Sequence, residues 1–315
     1  MKPIEDFLQP TQKELFGMLR KMFKGKSICR KNSFVLVQGE APIMLLAHLD
    51  TVHEKPVKHI CKTADGNILM SPQGIGGDDR CGVYALVNVY EQADKKPWLL
   101  FTCDEEIGGR GAEAFCRLHQ KGKLPKDLNT LKLLVEIDRR GSKDAVYYDC
   151  DNKDFEAYIT GKGFQTEFGS FSDISYVAPE LGVAAVNLSS GYYNAHTQHE
   201  FINRKQINAV IEKVVEIVAE AALPDFPKYE YVKRVHQPLV RRDYGYLDWG
   251  LLKNDAADDW GTVPPHLPVK YQQMYDELLD LYAPEELESF CEEYGNEIIE
   301  EIYRAEYGFM YGGGE

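Results

Sequence analysis

Short apolar runs rich in β-branched residues alternate along this chain with stretches in which apolar residues recur every three or four positions. The runs at Ser33–Val37, Ile43–His48, Trp98–Cys103, Leu131–Ile137, Ala145–Tyr148 and Val183–Leu188 read as strands. The periodic stretches at Glu5–Phe23, Cys81–Glu91, Gly111–Gln120, Ile174–Pro179 and Lys205–Ala222 read as helices. The middle strands lack strict polar alternation, so the sheet they build is covered on both faces. The expected fold class is α/β: a three-layer α/β/α sandwich with a central, mostly parallel mixed sheet, occupying residues 1–223.

After Leu223 the texture changes. Pro224 and Pro227 lead into an aromatic and basic segment, Tyr229–Tyr246, and a turn is expected near Val263–Pro268. Helices are expected at Tyr271–Tyr282, from Pro284 to about Gly295, and at Asn296–Tyr307, with a frayed Gly-Gly-Gly-Glu end. Charge separates this part from the rest. The whole chain carries −14, and from Thr262 to Glu315 there are 13 acids against Lys270 and Arg304, a net of −11. Residues 224–315 are therefore expected to form an acidic, mostly helical C-terminal extension that packs on the core through Tyr271, Met274, Leu278 and Leu281. A cap over the site, a homo-oligomer contact and a docking surface for a protein partner are equally open to it.

Composition narrows the function. Net negative charge argues against binding nucleic acid. No apolar run is long enough to cross a bilayer, and residues 1–26 lack the apolar block of a signal peptide, so a cytoplasmic protein without a membrane partner is expected. Seven scattered cysteines without a C-x-x-C pair exclude a disulfide framework and a cysteine-zinc site.

Five clusters of acids and histidines recur at or just beyond the predicted strand ends, where open α/β sheets place their ligand sites. They are A-H-L-D-T-V-H with His48, Asp50 and His53; G-I-G-G-D-D-R-C-G with Asp78, Asp79 and Arg80; F-T-C-D-E-E-I-G-G with Asp104, Glu105 and Glu106; V-E-I-D-R-R-G with Asp138, Arg139 and Arg140; and N-A-H-T-Q-H-E-F with His196, His199 and Glu200. Taken singly, acids in loops are usually solvated, a lone strand histidine is usually a core residue, and 104–106 would serve to cap the next helix. Taken jointly, so many carboxylates in one pocket require a cation. Carboxylates with imidazoles and no thiolates suit zinc, with cobalt or manganese as substitutes. Two such ions can activate water and polarise a scissile carbonyl.

The order H-x-D, G-x-D-D-[KR]-x-G, T-x-D-E-E-x-G, strand-end Asp and H-x-x-x-E-F resembles the di-zinc exopeptidase superfamily, with wording closest to peptidase T, over about Ile43 to Ile202. The resemblance implies two divalent metal ions bridged by Asp78, with His48 and Asp138 completing one site and Glu106 and His196 the other. It implies Glu105 as the general base and Asp50 as the catalytic partner that orients His48. The lidded members insert a domain between the last two motifs, whereas here only 57 residues separate Asp138 from His196, which resembles the lid-less aminopeptidases. In that comparison Asp173 is an acid near the metals. Without a lid, Arg80, Arg139 or Arg140 is left to bind a substrate carboxylate, and Tyr192 or Tyr193 to reach the oxyanion; ion pairing and aromatic packing explain these residues equally well. The expected activity is that of an aminopeptidase or related exopeptidase acting on a peptide or small amide. Deacylation of N-acyl amino acids is the alternative, and a silent binding protein retaining the fold is the third.

Overall fold

The computed structural model describes residues 3–234, apart from 54 and 170, and ten helical positions between 271 and 303. The chain divides into two compact units, Met1–Val235 and His236–Glu315.

In chain order the first unit contains α1 (Glu5–Leu8), α2 (Gln12–Met22), β1 (Ser27–Arg30), β2 (Phe34–Val37), β3 (Ile43–His48), β4 (Cys61–Lys62), β5 (Ile68–Met70) and α3 (Gly77–Gln92). There follow β6 (Trp98–Thr102), α4 (Arg110–Gln120), β7 (Leu133–Arg139), β8 (Asp144–Val146), α5 (Lys153–Gly161), β9 (Gln165–Glu167), α6 (Ile174–Leu181), β10 (Ala185–Ser189), β11 (Tyr192–Tyr193), β12 (Phe201–Asn203) and α7 (Arg204–Ala221). Eight strands form the main sheet in the order β1-β2-β6-β3-β7-β10-β8-β9. Its four middle strands, β6, β3, β7 and β10, run parallel, so their C-terminal ends lie along one edge.

Alternation along these strands builds two apolar layers. Ile43, Leu45 and Ala47 of β3, with Leu99 and Phe101 of β6, face a core shared with α1, α2, α3, α5 and α7. Met44, Leu46, Trp98 and Leu100 face the opposite core, filled by Phe115 of α4 and by Ile174 and Val177 of α6. The expected three-layer α/β/α sandwich is what is found. A second sheet, β11-β12-β5-β4, is antiparallel and made of strands of two or three residues.

Besides short strands that were not expected, β1, β4, β5, β9, β11 and β12, three local features depart from the sequence reading. The helix expected over Glu5–Phe23 is broken at Pro10, whose ring and missing N–H cannot be accommodated inside a helix. Thr11 opens α2 with a reciprocal capping box to Glu14. Helix α5 was not expected; it is nine residues long, buries Phe155 and Ile159, and starts where Asn152 accepts the Phe155 N–H. The last central strand begins at Ala185, two residues late, because Val183 bridges Glu230 instead.

All seven cysteines are free thiols, five of them buried. No described helix is long and apolar enough to cross a membrane. In the second unit Tyr271, Tyr275, Leu278, Leu287, Cys291, Ile299 and Tyr303 form a buried cluster of their own, at positions within the three expected helices. The turn expected at Val263–Pro268, most of Tyr229–Tyr246 and the final glycines lie outside the described residues.

The break at Pro10 fixes the sign of one substitution. As an N-cap, Thr11→Ala should destabilise the protein by about 1 kcal/mol in urea unfolding. In one continuous helix the same change would stabilise it, because alanine is the better helix former.

Candidate metal centre

The C-terminal ends of β3, β6 and β7 deliver His48, the Asp104–Glu106 loop and Asp138 to one place. Asp78 joins them from the start of α3, where Asp78 and Asp79 depart from helical angles and the peptide between them is cis. His196 reaches in from the loop between β11 and β12. All five expected metal ligands, with Glu105 and Asp50, therefore converge.

Asp78 stands between two imidazoles. Its Oδ1 lies 3.2 Å from His48 Nε2 and its Oδ2 lies 3.3 Å from His196 Nε2. Beyond His48 is Asp138 Oδ1 at 3.5 Å, and beyond His196 is Glu106 Oε2 at 3.2 Å. Glu105 approaches His48 Nε2 at 3.9 Å. Asp79 is also near His48 and Asp138, but both its oxygens are committed, accepting the His48 and Gly82 backbone N–H groups. That separates the neighbouring aspartates: Asp78 presents its carboxylate and Asp79 holds backbone. Gly82 makes this possible, since a Cβ there would lie 2.0 Å from the Ile137 carbonyl and 2.4 Å from Asp79 Oδ2. His199 is exposed and bonds only within its own loop. His119 pairs with Glu180 at 2.6 Å.

A ring of buried hydrogen bonds fixes these groups. Asp50 Oδ1 contacts His48 Nδ1 at 3.3 Å, and the two Asp50 oxygens accept the backbone N–H groups of Glu105 and Glu106. Glu200, fully buried, accepts the N–H groups of Gly76 and Asp78 and lies 3.1 Å from His53 Nε2, so the last motif grips the loop of the second. Asn187 on β10 accepts the Asp138 N–H, and Tyr192 donates its hydroxyl to the Asp138 carbonyl. One pleat below Asp138, the buried Glu136 accepts a hydrogen bond from Ser172, and Asp173 accepts one from Thr102. Gln12, just past the Pro10 break, exchanges two hydrogen bonds with Asp104. Gln12, Glu136 and Asn187 were not singled out from the sequence, and nothing in their local pattern marks them.

Each of the residues expected to touch substrate also makes contacts within the chain. Arg80 is 4% exposed, and its Nη1 donates to the carbonyls of Phe7 and Pro10, so it braces the N-terminal segment. Arg139 donates to the Phe168 carbonyl. Tyr193 directs its hydroxyl to Gln206 and stacks on Phe201. Arg139 keeps its Nε without a hydrogen-bond partner.

Electrostatics calls for a cation. Burial, reinforced by Asp78, pushes Asp138 up to about 7, and burial lifts Asp173 to about 6. Burial also raises Glu105 and Glu136 well above the usual carboxylate range. Burial disfavours a charged His48, yet Asp138, Asp50 and Asp78 raise its pKa well above the ordinary value. His196, hydrogen-bonded to Asp78 and Glu106, is pushed up to about 11. Burial works to raise Asp78, but the imidazoles of His196 and His48 hold it well below the usual range. Among the described residues, protons on the histidines are thus the positive charge in direct contact with Asp78, Glu106 and Asp138. Glu106 Oε1 and Asp138 Oδ1 are buried without any hydrogen-bond partner. His48, Asp78 and Glu106 offer ligand atoms all within 4.8 Å of one another. Crowded, unpartnered oxygens beside imidazoles fit a divalent metal ion.

No family model and no curated protein sequence matches this chain. Solved structures do. The aminopeptidase PepT of Bacillus cereus ATCC 10987 is similar at a TM-score of 0.53 with 15% identity, over 70% of this chain and 97% of that one. A tripeptidase of Staphylococcus aureus subsp. aureus Mu50 gives 0.53 and 14%, over 70% and 96%. The TET1 peptidase of Pyrococcus horikoshii, which can assemble into a tetrahedron or a large octahedral shell, gives 0.52 and 12%, over 68% and 98%. The first unit has the fold of these peptidases.

A divalent ion held by His48 and His196 would displace their protons, so its binding should release protons and weaken as pH falls. Calorimetry in buffers of different ionisation enthalpy measures the release. Glu200→Gln replaces one acceptor with an N–H₂ facing backbone N–H groups, and metal affinity should fall about 10- to 100-fold.

Proposed function

We propose that this chain is a metal-dependent aminopeptidase whose site takes two zinc ions held in common by Asp78. The observation that carries the reading is the division of the Asp78 carboxylate, one oxygen toward His48 and the other toward His196. Ligands on a tetrahedral zinc at about 2.0–2.1 Å lie about 3.3 Å apart. The imidazole–carboxylate separations run from 3.2 to 3.5 Å, which supports a shared cation in place of each contact. His48 and Asp138 would complete one site, and Glu106 and His196 the other. The peptidase fold supports the same class of chemistry, and self-association, as in the TET1 peptidase, belongs to the proposal.

Bound zinc would supply acidified water and a polarised carbonyl. The residues of the chain do the rest. Glu105 is beside this cluster but outside the tight separations, so its carboxylate remains free to take a proton from the attacking water and pass it to the leaving amine. Burial raises its basicity toward that task. Asp50 holds the Nδ1 side of His48, keeping Nε2 turned to the ligands, and anchors the backbone of Glu105 and Glu106 in the same step.

Zinc content should be two ions per chain, and a chelator should abolish hydrolysis of aminoacyl-anilides until zinc, cobalt or manganese is restored. Glu105→Gln should lower kcat about a hundred- to ten-thousand-fold while leaving metal content intact. Turnover of N-acetyl amino acids in preference to aminoacyl-anilides would instead make the protein a deacylase, and no turnover of either would remove the enzyme reading.

A further inference from the structure

Arg80 carries a charge that the fold around it does not neutralise. The side chain is buried, and its Nη1 donates to the carbonyls of Phe7 and Pro10, each at 2.9 Å. Its Nε is buried without any hydrogen-bond partner. Asp50 and Asp79 are near enough to favour the charge, but among the described residues neither forms an ion pair with it. Their oxygens are turned elsewhere: Asp50 accepts the Glu105 and Glu106 N–H groups and touches His48 Nδ1, and Asp79 accepts the His48 and Gly82 N–H groups. Burial pulls the pKa of Arg80 down to about 10, so the guanidinium still holds its proton at neutral pH. A buried cation without an anion beside it is costly.

The same guanidinium forms part of the wall of a cavity of about 240 Å³. Leu8 and Gln12 come to that wall from the N-terminal segment, and Asp50, Val57 and Ile75 from the loops that follow β3 and β5. Leu8, Val57 and Ile75 are buried, so part of the wall is aliphatic. Of the other basic residues on it, Lys55 is exposed and His53 is held by Glu200. Asp50 meets His48 on Nδ1, whereas Asp78 meets it on Nε2, which puts the cavity behind the metal centre. In a guanidinium, Nε–H and one Nη N–H point the same way, side by side, and match the two oxygens of a carboxylate. With Nη1 committed to carbonyls, the edge made by Nε and Nη2 is the part of Arg80 left for a ligand.

We propose that this cavity binds a small aliphatic carboxylate, with its oxygens on the Nε–Nη2 edge of Arg80 and its hydrocarbon part against Leu8, Val57 and Ile75. The anion neutralises the buried charge, and its tail takes apolar wall out of water. Because Arg80 also holds Phe7 and Pro10, occupancy ties the N-terminal segment more firmly to the start of α3. The inference needs no metal and does not depend on the aminopeptidase reading.

The test uses the full metal-loaded chain with isovalerate as the probe, and isovaleramide, chloride and inorganic phosphate alongside at constant ionic strength. Isovalerate should bind in calorimetry and raise the unfolding temperature as its concentration rises, while the uncharged amide does neither. Arg80→Lys keeps the charge but loses the parallel pair of N–H groups, and should weaken binding about tenfold or more. Val57→Phe leaves Arg80 intact and fills the aliphatic part of the cavity, so it should weaken binding too, and it carries the test if the Arg80 variant does not fold. Affinity unmoved by the folded variants, equal binding of the amide, or a preference for phosphate or chloride would overturn the site. So would binding lost with the metal from a chain that stays folded, since the isovalerate would then sit on the ions. No binding at all would leave the cavity to water and overturn the proposal outright.

Discussion

Negative charge confined below the surface governs this molecule. Asp78, Glu105, Glu106 and Asp138 are gathered at the ends of parallel strands with two imidazoles, and Glu136 and Asp173 lie buried behind them. Carboxylates held this close are tolerated only if something positive shares the space. The scaffold around them resists their separation. Asp50, Glu200, Asn187 and Tyr192 bind the backbone of Glu105, Glu106, Asp78 and Asp138, so these four acids are held by their main chain as well as by their rotamers.

Division of labour between neighbouring acids follows from what each oxygen touches. Each Asp79 oxygen accepts a backbone N–H group, whereas the Asp78 carboxylate faces two histidines. Glu106 leans on His196 at 3.2 Å, while Glu105 stands 3.9 Å from His48. Adjacent residues of identical chemistry thus acquire different duties from a difference in direction alone, imposed by a loop whose two N–H groups are fixed by one aspartate.

Much of the sandwich was legible because its strands are apolar on both faces and its longer helices keep a regular apolar period. Ile43–His48 is found with the bounds read from the chain. The site was legible through motif spacing, since His48, Asp78, Glu106, Asp138 and His196 come together as the resemblance implied. What escaped was decided by distance in space. Strands of two or three residues, as in β4, β11 and β12, are too short to show a period, and α5 carries only two buried side chains. Arg80 drew attention as a charge beside ligands, yet its partners are carbonyls of residues 7 and 10, more than sixty positions away. Gln12 serves Asp104 across 92 positions, a relation that no local pattern encodes.

The grip of Glu200 on Gly76 and Asp78 has a bearing on how the protein comes into being. During synthesis Asp78 emerges more than a hundred residues before the side chain that steadies its loop. A nascent chain that has reached α6 already possesses most of its sheet and the four acids Asp78, Glu105, Glu106 and Asp138, but lacks both His196 and this lock. Contacts so remote in sequence form late, after loop closure has been met elsewhere. The cluster around Asp78 would then be completed as a last act of folding, when His196 and Glu200 reach it.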